Sequence, residues 1–207
     1  ALGYSETHTG VNAIIVNGTG VGNDAVTVTG SNFSGPVTIN GGDGDNVFVI
    51  LGTGPVSLRS GQGRNTIVTG DASDTITVGN GNNEITAGGG NDVIRVGSGN
   101  NTINGGGGND SIYLGPGNNV AYGEGPELDP AFTGNDTFYV TGGNNTLQGG
   151  FGADTYIFSG AWGTTTLIEA GTDVDVVDLS AIGAPITFNL GADNRNRITS
   201  GANTITE

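Results

Sequence analysis

The sequence predicts an all-β solenoid, in which short strands stack into successive rungs around one core. Two observations carry this prediction: glycine accounts for 42 of the 207 residues, and a nine-residue pattern recurs through much of the chain. The pattern is plainest from residue 60 to 157, as in AGGGNDVIR (87–95), VGSGNNTIN (96–104) and GGGGNDSIY (105–113). Self-similarity at a short fixed period is the signature of stacked repeats.

Each repeat has the composition of one turn followed by one short strand. Positions 2 and 4 are usually glycine, which suits a tight turn that needs a positive φ. Position 8 is apolar in every copy, and its neighbours are mostly Thr, Val, Ser or Tyr, which favour strands. Alternation along a strand then directs position 8 inward and positions 7 and 9 outward. A helix is disfavoured because glycine costs about 1 kcal/mol at each helical site.

The composition excludes several classes of protein. The net charge is -15 and all five basic residues are arginine, so the chain lacks the basic face that nucleic acids require. There is no cysteine for a disulfide scaffold or for thiol chemistry. No stretch approaches the roughly 18 apolar residues of a membrane span. Because the chain starts without Met and shows no signal peptide, we expect a processed chain or a fragment.

The block GGFGADTYI (149–157) resembles the GGxGxDxUx nonapeptide of the RTX, or hemolysin-type, calcium-binding repeats, and the blocks at 87–95 and 105–113 match nearly as well. The resemblance extends over residues 10–157 and is strongest from 69 to 157. It implies a right-handed parallel β-roll with two nonapeptides per turn. It also implies that turn Asp side chains and turn carbonyl groups bind Ca²⁺ between adjacent coils, and that the protein leaves a bacterium by type I secretion.

Position 6 of the repeats alternates between Asp and Asn without exception from Asn65 onward. If two repeats make one turn, alternate repeats stack on opposite edges of the roll. One edge, which we name the Asp edge, carries the Asp column: Asp74, Asp92, Asp110, Asp136 and Asp154. The opposite Asn edge carries the Asn column: Asn46, Asn65, Asn83, Asn101, Asn119 and Asn145.

The two edges are expected to differ in chemistry. Stacked turns lie about 4.8 Å apart, so an Asp column without a cation would repel itself. Ca²⁺ takes six to eight oxygen ligands and bridges such carboxylates, whereas stacked amides hydrogen-bond along their own ladder. We therefore predict calcium on the Asp edge alone, in about four sites that neutralise roughly eight charges. Val37 and Val56 occupy this edge earlier, so the sites begin near Asp71 or Asp74.

The candidate metal ligands are carboxylates and turn carbonyl groups. Asp71 joins the five residues of the Asp column as a candidate carboxylate. The resemblance adds glycine carbonyl groups from the Asp-edge turns: Gly88, Gly90, Gly106, Gly108, Gly150 and Gly152. Asp24, Asp43 and Asp45 would form an isolated site on the Asn edge, unless they are ordinary solvated turn residues.

The pattern divides the chain into an N-terminal extension (1–9), the β-roll repeats (10–158, with the calcium-edge repeats at 69–157) and a C-terminal capping segment (159–207). An insertion loop at 123–133 interrupts the repeats. A cap is expected because the end of a solenoid exposes unpaired strand groups and apolar core.

Smaller features carry further expectations. Trp162 is expected to plug the C-terminal end, where residues 201–206 would form a strand that pairs with the roll or with another molecule. The acidic residues of the insertion loop, Glu124, Glu127 and Asp129, add a ligand to a neighbouring ion, contact a partner or are simply solvated.

Enzyme chemistry has no evident place in the repeats. His8 is the only histidine and lies outside them, and there is no lysine or cysteine for covalent catalysis. We predict a non-enzymatic, extracellular calcium-binding module that supports the structure and folding of a secreted bacterial protein. Two alternatives stay open: a self-assembling subunit of a surface layer, matrix or filament, since no lysine guards an edge strand, and an accessory module of an enzyme that acts on polysaccharide.

Calcium ions are the predicted partners, with self-association or neighbouring domains of a larger chain as further possibilities. Position 9 of alternate repeats forms an outward stripe: Arg59, Thr77, Arg95, Tyr113 and Tyr139. Aromatic faces beside arginine suit a saccharide or an acidic partner, although such side chains also simply cover a sheet face.

Overall fold

The computed structural model of the chain describes residues 10–18, 20–30, 33–127, 129–170, 172–183, 187–190, 196–200 and 203–206. The predicted N-terminal extension and His8 therefore lie outside the described residues. The described part of the chain consists of strands and turns, and it contains no helix long and apolar enough to cross a membrane.

Successive strands of the roll alternate between two sheets. Among the described residues the first sheet contains β1 (Ile14–Asn17), β3 (Val37–Asn40), β5 (Val56–Ser60), β7 (Thr75–Val78), β9 (Val93–Arg95), β11 (Ser111–Leu114), β13 (Thr137–Gly142), β15 (Thr155–Ala161) and β17 (Val176–Asp178). The second contains β2 (Ala25–Thr29), β4 (Val47–Leu51), β6 (Thr66–Val68), β8 (Glu84–Gly89), β10 (Thr102–Gly107), β12 (Val120–Tyr122), β14 (Asn145–Gln148) and β16 (Thr164–Ile168), followed by β20 (Asn203–Thr206), β19 (Asn196–Ser200) and β18 (Thr187–Leu190).

Each strand from β1 to β15 pairs in parallel with the strand two places further along the chain, so one turn of the solenoid contains two strands. Ile76 lies opposite Ile94, a step of one double repeat. The insertion lengthens one step, and Phe138 still lies opposite Ile112. About eight turns stack in this way. The arrangement confirms the predicted parallel β-solenoid with two nonapeptides per turn.

The core is a ladder of position-8 side chains from both sheets. In β7 the side chains alternate between exposed and buried, and Ile76 is fully buried. The same position is buried in the strands before and after β7, as in Ile67, Ile85, Ile94, Ile103, Ile112, Ala121, Phe138, Leu147 and Tyr156. Burying a side chain the size of Ile stabilises the fold by about 1.5–3 kcal/mol. Because no single rung can cover both faces of its own apolar side chain, stability comes from stacking.

The C-terminal end of the roll carries three further strands. β20 pairs in parallel with β16, as predicted for residues 201–206, although Ile205 lies opposite Thr165, two residues out of phase with the repeats. β19 and β18 continue the sheet in antiparallel pairs. Trp162 is fully buried against Phe158, with ring centroids 5.0 Å apart, which agrees with its predicted role as a plug.

Candidate metal centre

The Asp edge is formed by the turns that lead from β8 to β9 and from β10 to β11, together with their equivalents. Gly88 and Gly90 in the first of these turns have φ values of 99° and 105°, a region that side-chain-bearing residues avoid. A Cβ added at Gly106 would also collide with the carbonyl oxygen of Gly88 in the turn below. These turns therefore stack so closely that only glycine fits.

The structure brings all five residues of the Asp column together in one buried row. Each is at most 2% exposed. The Oδ1 atom of each Asp accepts a hydrogen bond from the backbone N–H of the column residue one turn earlier, at 2.7–2.8 Å. Val56, which occupies the column before Asp74, donates the first of these bonds. One oxygen of every carboxylate is thus fixed by the backbone.

The second oxygen of every carboxylate in the column accepts no hydrogen bond from the backbone. The Oδ2 atoms of Asp74, Asp92, Asp110, Asp136 and Asp154 are buried and have no hydrogen-bond partner. A Cβ at Gly105, position 1 of its turn, would collide with Asp110 Oδ2, and the same holds one and two turns later. An ionised oxygen that is buried and unpaired is costly, so a row of them fits a bound cation.

Burial raises the pKa of every carboxyl group in the Asp column. The values are about 6 for Asp74 and Asp154, about 7 for Asp92, about 8 for Asp110 and about 9 for Asp136. Removal from water is the main cause of the rise in pKa. Backbone N–H groups, preceded at Asp74 by the Thr69 side chain, offset part of the rise, and repulsion from neighbouring carboxylates adds to it from the second Asp onward. Without a cation, every carboxyl group of the column therefore takes up a proton at a higher pH than a free carboxyl group does.

The Asn column is equally buried but fully hydrogen-bonded. Asn83 Nδ2 donates to Asn101 Oδ1 at 2.8 Å and to the carbonyl oxygen of Gly81 at 3.1 Å. Asn65, Asn101 and Asn119 repeat both bonds. The side-chain nitrogen thus stands where the Asp column has its free Oδ2, and it links the next side chain to a turn carbonyl. On this edge the amide nitrogen gives the neighbouring buried oxygen atoms a hydrogen-bond donor. On the Asp edge only a cation or a proton can take that place.

The column contains a sixth carboxylate that the sequence pattern did not reveal. Asp154 N–H donates to Asp175 Oδ1 at 2.9 Å, the same bond that links the earlier column residues. Asp175 lies 21 residues after Asp154. The available signal was Val177, which follows two residues later and lies opposite Tyr156 at position 8. One carboxylate oxygen each from Asp154, Asp175 and Glu169 lies within 4.8 Å of the other two.

The insertion loop contributes a buried carboxylate as well. Glu124 is 7% exposed, and neither of its oxygens has a hydrogen-bond partner. A Cβ added at Gly150 would collide with its carboxylate, which places Glu124 directly above the turn that holds Asp154. Burial, and secondarily repulsion from Asp154, raises the pKa of Glu124 to about 7. The loop therefore delivers one acidic group into the Asp edge.

Other predicted ligands lie away from the column. Asp71 is exposed and lines a cavity of about 510 Å³ beneath the insertion loop, together with the exposed Glu127 and Asp129. On the Asn edge, Asp43 and Asp45 are exposed and accept backbone N–H bonds from the next turn. With Asp24 they do not form a three-carboxylate group in the described part of the chain.

The model of the RTX calcium-binding nonapeptide repeat matches four segments of the chain, residues 34–49, 59–94, 86–121 and 131–160. Together these cover slightly more than half of its 207 residues. The chain belongs to the RTX calcium-binding repeat family. Its metal is accordingly Ca²⁺, and the oxygen-rich column with its free carboxylate atoms fits this cation. RTX repeat proteins are typically secreted. A comparison with curated proteins finds no match.

The outer face of the RTX roll brings the five residues of the predicted stripe into register, and the last three of them form a stack. The Arg95 guanidinium lies 4.2 Å from the centroid of the Tyr113 ring, and the Tyr113 and Tyr139 rings stack in parallel at 4.1 Å. The ring faces are thus turned toward one another along the stripe. The stacked side chains therefore cover the outer face of the sheet. A saccharide ligand on this stripe stays a prediction.

Proposed function

We propose that this chain is an extracellular calcium-binding β-roll that acts as a structural and folding module of a secreted protein. Ca²⁺ binds between neighbouring turns of the Asp edge and not on the Asn edge. The observation that carries the proposal is the row of buried carboxylate oxygens without partners on one edge, beside a fully hydrogen-bonded row of amides on the other.

In this proposal each ion lies between two consecutive members of the Asp column. The free Oδ2 atoms supply negatively charged ligands, and turn carbonyl groups complete the shell, with Gly88, Gly90, Gly106, Gly108, Gly150 and Gly152 as the assigned positions. Glu124 adds a ligand to the ion between Asp136 and Asp154, because its carboxylate lies against Gly150. Asp71, which is exposed, is at most a peripheral ligand.

Calcium binding is coupled to folding by the electrostatics of the column. In the absence of Ca²⁺, folding must bury carboxylates that either stay ionised without partners or take up protons. A bound cation removes both penalties and stabilises only the folded state, so its binding free energy becomes folding free energy. Such a module stays unfolded where Ca²⁺ is scarce and folds where it is abundant.

The test is a Ca²⁺ titration followed by circular dichroism and calorimetry, with Asp92→Asn beside wild type. We expect wild type to lose its β signal on chelation and to regain it with Ca²⁺, and Asp92→Asn to bind fewer ions. Glu84→Gln is the matched control, because it removes one charge from the exposed face of β8. A wild-type chain that binds no Ca²⁺, or a β signal unchanged by chelation, would overturn the proposal.

End-to-end self-assembly is a second candidate function. Among the described residues, β1 and β17 each pair on one side only, and both carry exposed apolar side chains, with Ile15 69% and Val176 50% exposed. Unpaired strand edges of this kind invite pairing with another chain. Light scattering and electron microscopy at high protein concentration with Ca²⁺ test it, and a strict monomer would exclude it.

A further inference from the structure

The last turn of the Asp edge differs from the turns within the repeats. Three carboxylates from three separate segments converge there: Asp154 before β15, Glu169 after β16 and Asp175 before β17. One oxygen of each lies within 4.8 Å of the others, and this is the only such group of three in the described part of the chain. The family's repeat pattern ends before two of these residues, since the last matched segment stops at residue 160.

Two oxygens of this cluster are buried and unpartnered. Asp154 is fully buried, and its Oδ2 has no hydrogen-bond partner. Glu169 Oε2 is also buried without a partner, whereas its Oε1 accepts a bond from the Tyr156 hydroxyl. Tyr156 thereby fixes the orientation of the Glu169 carboxylate and leaves its second oxygen free. Two carboxylates that approach one another within 4.8 Å, each with a buried oxygen that has no partner, are what a metal site offers before it is filled.

Glu169 takes the place that glycine holds in the earlier Asp-edge turns. Thr166 in β16 lies opposite Thr146 in β14, so Glu169 follows β16 at the same phase as Gly149 follows β14. At Gly149, the missing side chain leaves room beside the Oδ2 of Asp154. One turn later a carboxylate is supplied instead. The last interval thus has three side-chain carboxylates, where an interval between two ordinary repeats has two.

We propose that Asp154, Glu169 and Asp175 form a terminal Ca²⁺ site that fastens β17 to the end of the roll. This proposal rests on the proposed function, because Asp154 would also serve the preceding inter-turn ion. All three side chains offer hard oxygen ligands, which Ca²⁺ prefers over softer metals that select nitrogen or sulfur. The site joins two segments outside the repeats to the last repeat, so closure of the C-terminal end becomes calcium-dependent.

The test counts bound Ca²⁺ by native mass spectrometry in wild type, Glu169→Gln and Asp175→Asn. We expect each variant to lose one ion relative to wild type. Both substitutions keep the side-chain shape, and Asn at residue 175 retains an Oδ1 for the Asp154 N–H, as the Asn column does. Asp178→Asn is the control: the same change three residues further on should keep the full count. Circular dichroism with excess Ca²⁺ verifies that each variant is folded.

A second readout locates the site by its neighbour. Tb³⁺ substituted for Ca²⁺ at this position would be sensitised by Tyr156, whose hydroxyl contacts Glu169. Glu169→Gln should therefore lower the tyrosine-sensitised emission, which Asp178→Asn keeps at the wild-type level. If wild type binds Ca²⁺ and loses ions in Asp92→Asn, while both terminal variants keep the full count, the terminal site is wrong and the proposed function stands. If wild type binds no Ca²⁺, both fail.

Discussion

The two edges of this roll share the burial of position 6 and the backbone N–H bond to the next column residue, and their column side chains differ by one atom. On the Asn edge, Nδ2 of Asn83 donates to the next amide and to a turn carbonyl, and the column is complete in itself. On the Asp edge, the corresponding Oδ2 of Asp92 can donate nothing and has no partner. Amides alone can therefore hold a solenoid edge, whereas under the proposed function an edge of carboxylates needs a cation.

The backbone of the turns differs between the edges as well. In the repeats from residue 87 to 113 the Asp-edge turns have a positive φ at positions 2 and 4, as at Gly106 and Gly108. The Asn-edge turns around them have it at position 4 only, as at Gly81 and Gly99. The Asp-edge turn therefore differs from the Asn-edge turn in backbone shape as well as in its column side chain. This agrees with the proposal that one edge binds calcium and the other is held by amide hydrogen bonds.

The largest expected effect comes from making the two edges alike. Replacement of all five Asp-column residues by Asn should give a roll that folds without Ca²⁺ and no longer responds to chelation, because every Oδ2 becomes an amide donor. Circular dichroism with and without a chelator measures this. The control removes five exposed charges instead, by Asp43→Asn, Asp45→Asn, Glu84→Gln, Glu127→Gln and Asp129→Asn, and should stay calcium-dependent. A five-Asn variant that still needs Ca²⁺ would contradict the comparison.

Acid should replace the cation in part. Without Ca²⁺ the folded-state pKa values of the Asp column are raised to about 6–9 from an unfolded value of about 3.9. Protonation therefore favours the folded state: this contribution is complete below about pH 4 and is lost as pH rises through about 6 to 9.

With Ca²⁺ the direction reverses, because the cation binds the ionised form and competes with protons. In thermal unfolding between pH 4 and 9, stability without Ca²⁺ should fall as pH rises until the β signal is lost, and stability with Ca²⁺ should rise with pH. The five-Asn variant is the control. Because it has no column carboxyl groups, its stability should not show the change between pH 4 and 9 that these groups cause in wild type. Parallel curves for wild type in the two conditions would show that the column carboxyls do not titrate as described.

The converse substitution tests the Asn edge. Asn101→Asp removes the donor to Gly99 and to Asn119 and buries an unpaired carboxylate, so we expect a loss of about 3 kcal/mol in the unfolding free energy at saturating Ca²⁺. Urea unfolding measures it. Asn100→Asp, one residue earlier and exposed, should change stability by less than about 0.5 kcal/mol. Equal losses in the two variants would mean that the amide ladder is not what holds this edge.

The smallest expected effect lies on neither edge. Arg95→Ala removes the cation from the Tyr113 ring and should lower the unfolding free energy by about 0.5–1 kcal/mol. The loss should be the same in calcium-loaded wild type and in the calcium-free five-Asn variant, since the stripe is independent of the columns. Thr77→Ala in the same stripe is the control for a side chain outside this stack. A loss that depends on Ca²⁺ would link the stripe to the Asp edge.

Much of this organisation could be predicted from the sequence because the repeat carries it. Alternation at position 6 predicts two columns, and the structure places Asp74 to Asp154 and Asn46 to Asn145 in them. Position 8 predicts the core, and Val37 and Val56 mark where the column lacks carboxylates. Each of these predictions follows from the fixed period of the repeat, because strand pairing places residues that are one double repeat apart next to each other.

The residues that the sequence did not reveal lie where the period changes. Asp175 follows Asp154 by 21 residues, so only the path of the chain through β16 and the next loop places it in the column. Glu124 opens an insertion whose course depends on packing, and its sequence does not show that the side chain is buried. The different φ pattern of the two kinds of turn was also hidden, because both kinds carry glycine at positions 2 and 4.

A crystal structure grown with Ca²⁺ would show directly whether the two edges bind calcium differently. Anomalous difference density locates each ion. We expect peaks between neighbouring turns of the Asp edge from Asp74 to Asp154, each within about 2.3–2.6 Å of carboxylate oxygens, and no peak between turns of the Asn edge. Peaks on the Asn edge, or an Asp edge without ions at saturating Ca²⁺, would contradict it.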